Sequence, residues 1–316
     1  MIFINIIILL MGFIILIKAA DYFIEGASSL SINLKISPLI IGLLIVGFGT
    51  SLPELAVSVN AHLIKEHDVL LGNVIGSNVL NILLILGVTI CIFPIKVEKI
   101  YLKKEMPFLI FLTIVLATLF LDTFVLNSSL NILTRQDGLI LFLIFFLYMT
   151  YTILKQKKTD EKTEARFSLI KSIILVIISL VGIVLGSNLV VENAVSIAYA
   201  LGISGKIVGL TIVAFGTSLP ELVTSITAAK KGQTDLLMGN IIGSNIFNIA
   251  IILGLPISIF GSVTAVDFNY IDIIICLLAP ILLYILSYKG NNLRRKDGFI
   301  LLSVFVIYYL YMFIRI

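Results

Sequence analysis

Charge is what this chain has least of. Only 13% of its 316 residues are charged, while 59% are hydrophobic, and the mean hydropathy is +1.16. A soluble domain carries about 25% charged residues, and a helix crossing hydrocarbon needs about 20 mostly apolar ones. These figures exclude an ordinary soluble fold and describe an integral membrane protein. Cysteine is nearly missing as well: Cys91 and Cys276 stand singly in apolar runs, with neither a disulfide framework nor metal-ligand spacing, and read as small buried residues. The two histidines, His62 and His67, have no counterparts in a repeat described below and read as exposed loop residues. No basic stretch precedes the apolar run that begins at Ile2, and no small-residue cleavage site follows it, so this run reads as a retained first span. The chain also lacks a nucleophile–base pair or a catalytic metal motif, which argues against a membrane enzyme. The net charge of +4 is no nucleic-acid signal, because topology accounts for where the charges lie.

What the chain has in abundance is itself. Residues 46–87 read VGFGTSLPELAVSVNAHLIKEHDVLLGNVIGSNVLNILLILG, and residues 213–254 read VAFGTSLPELVTSITAAKKGQTDLLMGNIIGSNIFNIAIILG. Adding 167 to each number in the first copy gives its partner, without a gap, and 24 of the 42 positions are identical. Shared greasy composition would match apolar positions; it would not reproduce GTSLPEL, GN, GSN and a later Asn in register. A second match, TRQDGLILFLIF (134–145) with RRKDGFILLSVF (294–305), lies at an offset of 160. The duplicated unit therefore covers half of the chain, not two helices of it.

Apolar runs place spans at roughly 2–27, 38–64, 69–93, 106–126 and 138–154, then 168–196, 205–230, 236–260, 269–288 and 298–314. The expected fold is an all-α integral membrane protein of ten transmembrane helices. Residues 1–154 form a first five-helix repeat, 155–167 a solvated linker, and 168–316 a second repeat. Five is odd, so the second repeat enters the membrane from the opposite side and the halves are inverted. With the N-terminus outside, the inner segments hold 17 of the 22 basic residues. These are Lys35, four lysines between 96 and 104, six basic residues between 155 and 171, Lys230 with Lys231, and four between 289 and 296. The positive-inside rule then puts both termini outside and the linker in the cytoplasm, as in a multi-pass protein of the cell membrane.

Within the repeats, two acids sit in otherwise apolar spans: Glu54 and Glu221. A charge at the bilayer centre costs at least about 2.5 kcal/mol, and matched placement inside GTSLPE makes a structural accident a poor explanation. Thr50, Ser51 and Glu54 share a helical face by their spacing, as do Thr217, Ser218 and Glu221. Ser77 with Asn81 and Ser244 with Asn248 are further i, i+4 pairs. A lone hydroxyl in a membrane helix is usually interhelical glue; four polar patches around two acids fit that reading poorly. Pro53 and Pro220 lack an N–H and clash with the carbonyls of Gly49 and Gly216, so breaks are expected in the second and seventh helices, near 47–53 and 214–220. Unwound carbonyls are frequent cation ligands in transporters. Carboxylate, hydroxyl, amide and carbonyl oxygens without His or Cys suit hard cations such as Ca²⁺ and Na⁺.

These residues resemble those of the sodium/calcium exchanger family, within the cation/calcium antiporter superfamily. GTSLPE followed by GNVIGSNVLNI, and GTSLPE followed by GNIIGSNIFNI, look like its two alpha repeats, and the likeness covers essentially the whole chain. The resemblance implies a microbial minimal exchanger with a central cation site. Its ligands would be Thr50, Ser51, Glu54, Ser77 and Asn81, then Thr217, Ser218, Glu221, Ser244 and Asn248, with the backbone carbonyls of Gly47 and Ala214. It also implies alternate binding of one Ca²⁺ or about three Na⁺, and long first and sixth spans that slide across the core. Ca²⁺ and Na⁺ would be substrates, with no cofactor, no nucleic acid and no obligatory protein partner beside the lipid bilayer. Some relatives have Asp where this chain has Asn248, and potassium-dependent exchangers use an acid there. Asn at both 81 and 248 therefore argues against K⁺ co-transport. The alternatives are H⁺/Ca²⁺ exchange, whose branch typically carries GNATE-like motifs, Na⁺-coupled exchange of another divalent cation, and a cation channel.

Overall fold

The structure is a computed structural model, and it describes residues 2–120, 131–155, 164–202, 214–265, 270–288 and 290–315. In chain order the helices and strands begin with α1 (Ile2–Leu34), α2 (Pro38–Thr50), α3 (Leu52–Leu63), α4 (His67–Ile92) and β1 (Ile95–Lys96). Next come α5 (Met106–Phe120), β2 (Asn131–Leu133), α6 (Arg135–Leu154), α7 (Leu169–Ala200), α8 (Ala214–Thr217) and α9 (Leu219–Lys230). The last are α10 (Thr234–Phe260), β3 (Val263–Ala265), α11 (Tyr270–Tyr288), β4 (Asn292–Leu293) and α12 (Arg295–Arg315). Among the described residues, six unbroken helices are long and apolar enough to cross a membrane, and the broken pair α2–α3 makes a seventh. The expected spans at 106–126 and 205–230 run partly outside the described residues, as do most of the expected linker and its charges.

Two compact units emerge, residues 1–53 with 157–240 and residues 54–156 with 241–316, so each draws on both halves of the sequence. In the first unit, α1 and α7 pack along their length. A Cβ at Gly186 would lie 2.8 Å from the backbone nitrogen of Leu16, and one at Gly26 would lie 3.2 Å from Val176. Small residues admit this approach, which drives helix pairing where lipid competes for apolar surface. The other faces carry Ile14, Ile17, Ile177 and Ile178, all exposed, as lipid contact requires.

Both long helices outrun their expected ends, α1 reaching Leu34 and α7 reaching Ala200. At the end of α1 the reason is polar satisfaction. Ser31 bonds back to Ser28, and the Asn33 amide donates to Ser29 and to the carbonyl of Phe167. Glu25 is paired with Arg166 at 2.6 Å and with Lys231 at 2.9 Å. Burial pulls the Lys231 ammonium down, but Glu25 and Asp21 outweigh it and hold its pKa above the usual lysine value.

Contacts in the second unit come in matched pairs. Strand β1 pairs with β4 (Ile95 with Leu293), and β2 pairs with β3 (Leu133 with Val263). A Cβ at Gly138 would lie 2.6 Å from the Gly254 carbonyl, and one at Gly298 would lie 2.7 Å from that of Gly87. Gly87 and Gly254 differ by 167, Gly138 and Gly298 by 160, the two offsets of the sequence repeat. The Asp137 carboxylate accepts from the backbone N–H of Thr134 at the start of α6, and Asp297 accepts from that of Arg294 at the start of α12. Tyr148 donates to Glu105, and Tyr308 donates to Asp272.

The histidines are a correction. His62 is 6% exposed and lies in the last turn of α3, not in an open loop. Its ring faces His67 and Phe260, with centroids 5.6 and 5.7 Å apart, while His67 Nδ1 accepts from the Thr264 N–H. Strand β3 thus lies against the start of α4, just past the turn.

Candidate functional site: two carboxylates at helix breaks

Each GTSLPE segment breaks its helix at the serine. Ser51 has φ −85° and ψ 8°, and Ser218 has φ −91° and ψ 6°, and a new helix starts at the next residue. Pro53 and Pro220 then occupy the first turn, where a missing N–H is harmless. Upstream of Ser51 the chain is π-helical over Gly42–Gly47, which the sequence reading did not anticipate. The Gly216 carbonyl, four residues before Pro220, accepts from the Ser187 hydroxyl at 3.2 Å. A membrane-depth break needs this kind of replacement bond.

In the first unit, residues from the two copies meet. Ser51 Oγ donates to Glu221 Oε1 at 3.1 Å. Thr50 Oγ1 lies 3.0 Å from Asn240 Oδ1, 3.1 Å from the Val46 carbonyl and 3.3 Å from the Gly47 carbonyl. Asn240 Nδ2 donates to Thr224 Oγ1 at 3.1 Å and to Ser225 Oγ at 3.0 Å, and the Thr224 hydroxyl in turn donates to the Pro220 carbonyl. Thr50, Ser51, Ser218, Glu221 and Asn240 are all buried, Glu221 at 1% exposure, while Thr217 is half-buried. Ala214 opens α8.

In the second unit, Glu54 is equally buried at 1%. Its backbone carbonyl accepts from Asn73 Nδ2 at 3.0 Å, and Asn73 also donates to Ser58 at 2.9 Å. Ser77, Asn81, Ser244 and Asn248 are buried on α4 and α10. Asn248 opens a π-helical segment, Asn248–Leu253, and Asn81 is second in its twin, Leu80–Leu86. Such segments leave the regular ladder and recur at functional sites. Asn248 Nδ2 donates to Asn78 Oδ1 at 3.0 Å. The Oδ1 atoms of Asn81 and Asn248 accept no hydrogen bond among the described residues, although both are buried. A bare buried acceptor is costly unless water or an ion completes it.

Of the twelve expected ligands, the first unit holds Gly47, Thr50, Ser51, Ala214, Thr217, Ser218 and Glu221, and the second holds Glu54, Ser77, Asn81, Ser244 and Asn248. Sequence reasoning missed three side chains that organise them: Asn73, Asn240 and Asn78. The signal was present, since Asn73 and Asn240 differ by 167, as do their acceptors Ser58 and Ser225.

Comparison with known proteins adds to this geometry. The sequence profile of the family described as sodium/calcium exchanger protein matches residues 4–154 and 171–314. The chain is 39% identical to a putative antiporter, CaxA, of Alkalimonas amylolytica, over 95% of both chains. It is 32% identical to the sodium/calcium exchanger MaX1 of Methanosarcina acetivorans, over 99% of both. Among solved structures it resembles the sodium-calcium exchanger NCX_Mj soaked with zero Na⁺ and Ca²⁺. There the TM-score is 0.85 at 31% identity, over 99% of this chain and all of that one.

Proposed function

The chain belongs to the sodium/calcium exchanger protein family, and we propose that it exchanges Na⁺ for Ca²⁺ by alternating access, three for one and with net charge movement. The observation that carries this reading is the pair Glu54 and Glu221. Both are buried to 1% exposure, and each lies three residues past a helix-breaking serine in a repeated GTSLPE. In this reading the twelve oxygen-bearing residues supply the cation ligands.

Charge then sets the exchange ratio. Two ionised carboxylates supply −2, which one Ca²⁺ or two Na⁺ neutralise; a third Na⁺ leaves the carrier at +1. Three-for-one exchange moves one net charge per cycle, worth about 2.3 kcal/mol at 100 mV. With both carboxylates unfilled, desolvation and like-charge repulsion oppose crossing, so exchange is favoured over leak.

The topology belongs to the same proposal: ten spans in two inverted halves, 1–154 and 168–316, both termini outside, the linker 155–167 cytoplasmic, in the cell membrane. Supporting it, β1 and β4 join segments that the ten-span count puts on the inner side, and β2 and β3 join segments that it puts on the outer side. The reciprocal Gly138–Gly254 and Gly298–Gly87 approaches agree with an inverted pair.

The test is Ca²⁺ uptake into Na⁺-loaded proteoliposomes. Uptake that needs internal Na⁺, carries current under voltage clamp and vanishes in Glu54→Gln is the expected result. Uptake driven equally well by protons alone would move the chain to H⁺/Ca²⁺ exchange, and current-free uptake would exclude the three-for-one ratio.

A further inference from the structure

An asparagine is an ambiguous cation ligand. One end of its amide is an acceptor oxygen, and the other is an NH₂ group whose partial positive charge repels a cation. Whatever holds the NH₂ end therefore decides whether the residue can bind at all. At Asn248 that end is held: Nδ2 donates to Asn78 Oδ1 at 3.0 Å, and Asn248 Oδ1 is left buried with no hydrogen bond among the described residues. Asn78 also lies near the buried thiol of Cys276. Asn78 is 3% exposed, Cys276 is 3% exposed and Asn248 is 1% exposed, so water is a poor substitute partner for any of them.

We infer that Asn78 is a positioning residue for cation binding: by accepting Asn248 Nδ2 it turns Asn248 Oδ1 toward the ion. This rests on the reading that Asn248 is a cation ligand. Asn78 does not touch the ion; it acts through Asn248. The competing account is ordinary glue between two helices, which would brace the fold without orienting a ligand. The repeat supplies a contrast. Asn245 is the counterpart of Asn78, yet it donates to the Ile241 carbonyl of its own helix, and its Oδ1 accepts no hydrogen bond among the described residues. The relay is therefore particular to Asn248. It follows that an aspartate at 248 would not need it, since a carboxylate presents oxygen whichever way it turns.

That difference makes the test. Ca²⁺ uptake into Na⁺-loaded proteoliposomes is measured as KM and maximal rate for the wild type, Asn78→Leu, Asn248→Asp and the double variant. Thermal unfolding without Ca²⁺ confirms that each is folded, and Asn78→Ala replaces Asn78→Leu if the larger side chain is not accommodated. Asn78→Leu is expected to raise the KM for Ca²⁺ about tenfold, equivalent to ~1.4 kcal/mol, with little change in maximal rate. In the Asn248→Asp background the same change is expected to move KM less than about twofold, a non-additivity that reports coupling between the two side chains. If Asn248→Asp does not transport, Asn248→Ala serves as the background, and Asn78→Leu should add nothing there. An unchanged KM, or an equal rise in both backgrounds, overturns the inference while leaving the exchanger reading intact. Absence of Na⁺-dependent uptake in the wild type overturns the exchanger reading itself.

Discussion

The hydroxyl of Ser51 donates to the carboxylate of Glu221 at 3.1 Å, across 170 positions of sequence. The serine at the helix break of one copy thus holds the acid of the other, so Glu221 is oriented by more than its own helix.

Loss of either carboxylate charge should therefore end transport without unfolding the protein. Glu221→Gln keeps an acceptor for Ser51 but removes one charge from the proposed site. Two unit charges 4 Å apart interact by about 4 kcal/mol at an effective dielectric of about 20, and a divalent ion doubles that. The expected result is at least about a hundredfold loss of Ca²⁺ affinity with a near-normal melting temperature, measured by uptake and thermal unfolding in parallel.

Asn240→Ala should be felt first in stability. It deletes two donated bonds and the acceptor beside Thr50 in a fully buried network. Stranding such groups costs about 1–3 kcal/mol each. Asn73→Ala removes two bonds from a less buried residue. Thermal unfolding should rank Asn240→Ala as the more damaging; the reverse order would contradict the hydrogen bonds described.

Lys65→Gly should stabilise. Lys65 adopts φ 64° after α3, and its counterpart 167 residues later is Gly232 at φ 70°. A left-handed non-glycine residue costs roughly 1–2 kcal/mol, partly offset by the greater unfolded freedom of glycine. A gain of about 0.5–1 kcal/mol is expected in chemical or thermal unfolding, with transport unchanged.

Gly138→Ala and Gly298→Ala should be equally harmful. Their added methyl groups would sit 2.6 Å from the Gly254 carbonyl and 2.7 Å from that of Gly87, so backbone must move. Overpacking of this kind costs about 1–3 kcal/mol. Closely similar losses in melting temperature would follow from matched environments; a silent substitution at one site would show that the match is not energetic.

The helices were legible because membrane solvation acts locally: each apolar run must be long enough by itself, and eight of the ten expected runs coincide with described helices to within a few residues at most ends. Glu54 and Glu221 stood out because duplication in register separates repeated polar positions from chance ones, and the structure buries both. His62 was misread for the opposite reason. Its ring packs against His67 and against Phe260, the latter about 200 residues away in sequence, and no local pattern announces that.

The amino-acid sequence by itself determined the duplication, the apolar spans and the oxygen-bearing residues placed inside them, because these depend on register, composition and the missing N–H of two prolines. Tertiary structure alone decided that the breaks fall at Ser51 and Ser218, that Asn73 and Asn240 brace the acid-bearing helices, and that Asn248 turns its oxygen away from Asn78. Those outcomes depend on which hydrogen-bond partner is within reach. The partners lie 15 to 190 positions apart, at separations that only the folded chain closes.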